Sequence, residues 1–233
     1  MWSLKTKIMK KIFKRFRPIL LSLFCGALVV SCGTSSVMAV YDVSLSSVES
    51  PENAKEQFGG TKIVKLTESQ GEESINKYQY EDQYIQITWL YATNQLDFEL
   101  VNKSDYTLKI NWDNVSYMDY NGNVSRIMHK GVKYNNREES QGTISIPKGG
   151  RLNDMLVPTS NVYFDKGFGM YVPAKWVQTA LFPCYYKKKS DMKADIARGT
   201  WLGRTIKVLF PIEIEGVKND YSFEFRVDGV LNE

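Results

Sequence analysis

From Tyr78 onward apolar and polar residues alternate along the chain. Ile85, Ile87 and Trp89 fall on one face, with Gln86 and Thr88 on the other. After Ala92-Thr93-Asn94, Leu96, Phe98 and Leu100 repeat the pattern against Asp97 and Glu99. A period of two marks half-buried strands, and the short break between the runs marks a hairpin. Leu108, Ile110 and Trp112 continue the pattern. Val115 to Tyr120 and Val124 to His129 flank Asn121-Gly122, a pair suited to the positive φ angles of a tight hairpin turn. Thr143 to Ile146 reads as a further strand. The last hairpin is the clearest: Ile206, Val208, Phe210, Ile212 and Ile214 share one face, and Tyr221, Phe223, Phe225 and Val227 return beside them. Glu224 points away from that apolar face, and Pro211, lacking an N–H, belongs at a bulge or on an edge strand.

Helix is scarce in this pattern. Pro51 to Phe58 has room for two turns, and Ser190 is placed to cap a short helix through Ala197. Short strands with turn signals roughly every ten residues predict an all-β fold. The expected form is an antiparallel β-sandwich of immunoglobulin-like architecture, in preference to a barrel, with one or two short helices. Residues 51–233 are expected to form this single domain, with 160–200 as an irregular insertion.

The first 31 residues differ in kind. They hold seven basic residues, Lys5 to Arg17, and no acid. An apolar run from Ile19 to Val30 follows, too short for a membrane span of about 20 residues. This is the layout of a secretory signal peptide over 1–31. The whole chain has 30 basic and 26 acidic residues; without the leader, 23 basic face 26 acidic, a net charge of −3. The basic balance therefore belongs to the leader, and no nucleic-acid partner is expected. Met9-Lys10-Lys11 also has the form of a signal start, so translation from Met1 or from Met9 both fit.

The apolar run ends in Val29-Val30-Ser31-Cys32. This resembles the lipobox of bacterial lipoproteins. The resemblance covers the leader alone and implies cleavage before Cys32, which then carries acyl chains and holds the protein to the membrane. It further implies outer-membrane sorting, because Gly33 and not Asp follows the Cys, with the domain facing the periplasm. Residues 32–50, rich in Ser and Thr, read as a lipidated flexible tether. An alternative cleavage site lies after Val37-Met38-Ala39. Cys184 is the remaining thiol, and its apolar neighbours predict a buried, inert group.

Catalytic chemistry finds few candidates. His129 is the single histidine and is expected to be a rim residue packed on a neighbour. One His and one mature thiol do not make a usual zinc site, and no cofactor is expected. Asp119, Asn121 and Asn123 echo a calcium loop but lack its length and closing Glu. Two features point to binding. Tyr185-Tyr186 precede Lys187-Lys188-Lys189, which suits an anionic partner. Trp89 and Trp112 fall on core faces, whereas Trp176 and Trp201 lie in irregular stretches and are candidate contact residues. The expectation is a non-enzymatic, lipid-anchored envelope lipoprotein that binds or scaffolds another envelope protein. The alternative is a glycan-binding lipoprotein using exposed aromatics.

Overall fold

The computed structural model describes residues 36–50, 55–57, 62–70 and 73–231. The leader and Cys32 lie outside the described residues. The strands are β1 (Val37–Met38), β2 (Tyr41–Glu49), β3 (Lys55–Gln57), β4 (Ile63–Gln70), β5 (Glu73–Glu81) and β6 (Ile85–Ala92). Then come β7 (Gln95–Asn102), β8 (Leu108–Asn111), β9 (Ser116–Met118), β10 (Val124–Met128), β11 (Thr143–Ile146) and β12 (Arg151–Pro158). The chain closes with β13 (Val162–Asp165), β14 (Lys175–Gln178), β15 (Tyr185–Tyr186), helix α1 (Lys189–Ala197), β16 (Thr205–Ile214) and β17 (Val217–Val230). Among the described residues no helix is long and apolar enough to cross a membrane.

The alternating runs form the expected hairpins because each hides its apolar face. Ile85, Ile87 and Trp89 on β6 are buried, as are Leu96, Phe98 and Leu100 on β7. Strands β16 and β17 pair over ten residues, and their two-residue turn, Glu215-Gly216, has positive φ at both positions. That backbone suits the twist of the strands it joins. Gly122 likewise has φ +86° between β9 and β10. Pro211 sits where the second neighbour of β16 changes from β9, paired as far as Leu209, to β8, paired from Glu213. No ladder partner there needs the missing N–H.

The main sheet has thirteen antiparallel strands and is nearly closed, like a barrel. One half contains β3, β2, β17, β16, β8, β11 and β9, and the other β12, β7, β6, β5 and β4. Strand β10 makes the corner: Val124–Arg126 pair with β9, and Ile127 and Met128 pair with β12. Strand switching of this kind lets a sheet turn onto itself. The free ends, β3 and β4, are consecutive in the chain. Inside, the Trp89 ring of β6 lies 5.1 Å from Phe223 and 5.5 Å from Phe225, both of β17. Phe210 of β16 meets it edge-on at 6.2 Å.

Three expectations need correction. The tether does not extend to residue 50: β1 pairs with β15, and β2 lies between β17 and β3 with Val43, Leu45 and Val48 buried. Lys55–Gln57 is a strand paired with β2, not part of a helix over Pro51–Phe58. The helix after Ser190 forms, but its N-cap is Lys188 and Ser190 lies within its first turn. The stretch 160–200 is also more ordered than its sequence suggests. It holds the β13–β14 hairpin, β15 and α1, with Leu181 and Phe182 in the core. Trp89 and Trp112 are buried as expected, Trp112 in a 3-10 turn directly after β8.

Candidate functional site

The β13–β14 hairpin carries a cluster of exposed apolar residues. Phe168 is 75% exposed, Met170 98% and Tyr171 87%, and Val172, Tyr163 and Phe164 are also exposed. The turn itself is closed. Phe168 N–H donates to Val172 O at 2.9 Å, Val172 N–H to Phe168 O at 3.2 Å, and Gly167 N–H to the Asp165 carboxylate at 2.9 Å. Gly167 has φ +69°, and a Cβ there would lie 2.0 Å from Val172 O, so glycine is required. At the base, Val162 is buried against Met128 and Val157. Gln178 donates to Asn94 O at 2.7 Å, in the β6–β7 turn.

Trp176 lies on this hairpin, on β14 and not in an irregular stretch. It is half-buried between Tyr134 and Phe164, and the Arg137 guanidinium covers the indole at 5.2 Å. Trp201 belongs to a different cluster. It meets Tyr120 edge-on at 5.1 Å and walls a pocket of about 200 Å³ with Tyr41, Ile196 and Val230. Its indole N–H is buried without a partner. Tyr185 is exposed, whereas Tyr186 is half-buried with its hydroxyl 3.4 Å from that of Tyr41. Lys187, Lys188 and Lys189 are exposed at the start of α1, and none forms an ion pair among the described residues. The structure therefore does not bring Trp176 and Trp201 onto one platform.

His129 is packed as expected, with a partner that the sequence did not reveal. Its ring stacks on Trp112 at 4.3 Å, and Nδ1 lies 3.2 Å from the Asp154 carboxylate. Asp154 occupies an inward position of β12, between Leu152 and Leu156 and opposite Phe98. The carboxylate also accepts the N–H groups of Lys130 and Met155, each at 2.7 Å. A charge on the apolar parity of a strand was the available signal. Ser140, nearby in the loop, donates to Asp113. That bond, with those from Gln141 and Arg126, holds the Asp113 carboxyl below its ordinary range. Among the described residues no hydroxyl or thiol bonds to His129, and no three His, Cys, Asp or Glu side chains gather as metal ligands.

The outer face of β4, β5, β6, β7 and β12 forms an open depression of about 660 Å³. Register places Leu66 beside Lys77, Leu90 beside Asp97, and Asp97 beside Met155. Half-buried Leu66, Leu90 and Met155 thus stand among Glu68, Lys77, Asp97, Glu99 and Lys130. No family model matches this chain, and neither a curated protein nor a solved structure matches it.

Proposed function

We propose that this protein is a lipid-anchored lipoprotein of the cell envelope, held through acyl chains on Cys32 at the outer membrane and facing the periplasm. Its β domain is non-catalytic and binds or scaffolds another envelope protein. The observation that carries the reading is the position of Ala39. Ala39 is 2% exposed, and its N–H donates to Cys184 O at 2.9 Å. Cleavage after Ala39 would remove β1 from β15 and take a core residue with it. Cleavage before Cys32 leaves every described strand in place, which supports the lipobox over the later site.

The two halves of the sheet act as the layers of a sandwich, supported by the packing of Trp89 and Tyr80 on Phe223 across the interior. Immunoglobulin-like architecture is the finer form of this reading. The depression on the β4–β7 and β12 face is suited to a protein partner, because an apolar centre within a polar rim is the anatomy of a protein interface. The glycan alternative has less support, since Trp176 and Trp201 belong to separate clusters and Arg137 covers the former.

The test has two arms. Cys32→Ala should abolish labelling by radioactive palmitate; retained label in the membrane fraction would overturn the anchor. A photo-reactive residue at Leu90, in living cells, should give one discrete protein adduct that competes with the introduced charge of Asp97→Lys. Absence of any adduct from this face would overturn the partner reading.

A further inference from the structure

We propose that the tip of the β13–β14 hairpin, residues 166–175, inserts into the interfacial zone of a lipid bilayer and gives the anchored domain a second membrane contact. The proposal rests on the anchor reading for its setting, but the chemistry of the tip stands by itself.

Four observations converge. The apolar side chains of Phe168, Met170, Tyr171 and Val172 are clustered on a convex turn, where contiguous exposure is unusual for a surface meant for water. Backbone groups entering an apolar medium must be satisfied internally. The turn meets that condition in part: Phe168, Tyr171 and Val172 donate within it, and Gly167 N–H donates to the Asp165 carboxylate. Insertion is therefore limited to the interfacial zone, where headgroups and water serve the apex. Charge comes next. Lys166 and Lys175 stand on the two shoulders, exposed and without an ion pair among the described residues. Long basic side chains at that depth reach headgroup phosphates while their stems lie along apolar surface. Below them stand exposed Tyr163 and Phe164, aromatic residues of the kind favoured at a membrane–water boundary.

Position agrees with this assignment. The hairpin base is tied to the β6–β7 turn, by Gln178 to Asn94 O and by Leu181 N–H to Thr93 O. Ala39, seven residues after Cys32, borders the same turn in a pocket shared with Thr93 and Cys184. The hairpin therefore springs from the end of the sheet that holds Ala39. A turn of this size binds weakly alone, but a covalent lipid anchor raises its effective concentration at the surface.

The test uses the full-length lipoprotein in vesicles of phosphatidylethanolamine and phosphatidylglycerol at about three to one. Met170→Cys carries an environment-sensitive dye; Cys184 is buried and does not compete for label. Insertion predicts blue-shifted emission and strong quenching by lipids brominated on the acyl chain. Lys166→Glu and Lys175→Glu should each reduce the inserted fraction about fivefold or more. A water-like spectrum on protein that remains vesicle-bound would overturn the proposal. So would a blue shift without bromolipid quenching, which would place the dye against protein, this domain or a second copy of it, and not in lipid. Failure of the anchor reads differently: protein without palmitate would leave the vesicles in high salt, while the dye would still report contact at low salt. An unchanged thermal melt confirms that each variant is folded.

Discussion

The Tyr221 hydroxyl donates to the Asp82 carboxylate at 2.9 Å, joining β17 to the β5–β6 turn of the opposite half of the sheet. Tyr80 donates to the same oxygen at 3.3 Å, and the N–H groups of Tyr84 and Ile85 fill the other oxygen at 2.8 Å. Burial, then the facing carboxylate, pushes the Tyr221 hydroxyl far up, so it stays a donor. Tyr221→Phe should cost about 1–2 kcal/mol, and Asp82→Ala about 2–3 kcal/mol, because the latter strands several donors at once. Urea melts of both variants and the double variant measure the coupling; strict additivity would dissociate the two groups.

Phe225 and Glu224 are neighbours with different tasks. Phe225 is fully buried against Trp89, and Phe225→Ala should cost about 3–5 kcal/mol. Glu224 faces away as its parity requires, yet it is not a free surface charge. Lys207 lies 2.9 Å away, and Ser46 and Ser47 donate to its carboxylate. Ser46 is the extra residue of a bulge in β2, between the pairs Glu224–Ser47 and Phe225–Leu45. Glu224→Ala should therefore cost about 1–2 kcal/mol, more than a solvated strand charge. A loss below about 0.3 kcal/mol in chemical melts would remove the bulge from the stabilising contacts.

Cys184 supplies a pH dependence. Burial pushes its thiol from the ordinary 9.0 up to about 11. The folded state keeps the proton that the unfolded chain loses, so the contribution is complete below about pH 9 and is lost as pH rises through about 11. Native protein at about pH 8 should react with a disulfide reagent far more slowly than unfolded protein, since little thiolate forms. Cys184→Ala should flatten the alkaline decline in stability between those limits. Rapid native-state labelling would contradict the burial.

Strands such as β6, β7, β16 and β17 were legible because each hides one face, and that alternation is written in consecutive residues. Strand β2 was not. Ser44, Ser46 and Ser47 are buried there, and small hydroxyl residues look like a tether until β17 and the bulge enclose them. The hairpin tip was hidden for the opposite reason: Gly167, Gly169 and Pro173 erase any period, and exposure arises only when the rest of the chain packs elsewhere. His129 was visible as a lone residue. Its partner Asp154 was not, because the corner made by β10 brings together positions 25 residues apart. Trp176 and Trp201 were singled out as tryptophans in stretches without a period, and a missing period does not encode which cluster receives each ring.

The pairing of β2 also has a mechanical consequence. Any pull from a membrane anchor reaches the domain through β1 and β2. The two-residue β1–β15 ladder would peel first, at low force. Strand β2 would then be loaded along its length against β17, from Tyr41–Val230 to Glu49–Ser222. Its cross-strand bonds would share the strain in shear when the domain is held at the far end of β17, near Gly216. They would unzip singly when it is held at Val230, the partner of Tyr41. Single-molecule stretching between the N-terminal side and Gly216 should show a small early extension followed by one high-force rupture. Pulling between the N-terminal side and the C-terminus, which are neighbours at one end of the β2–β17 ladder, should open it more easily.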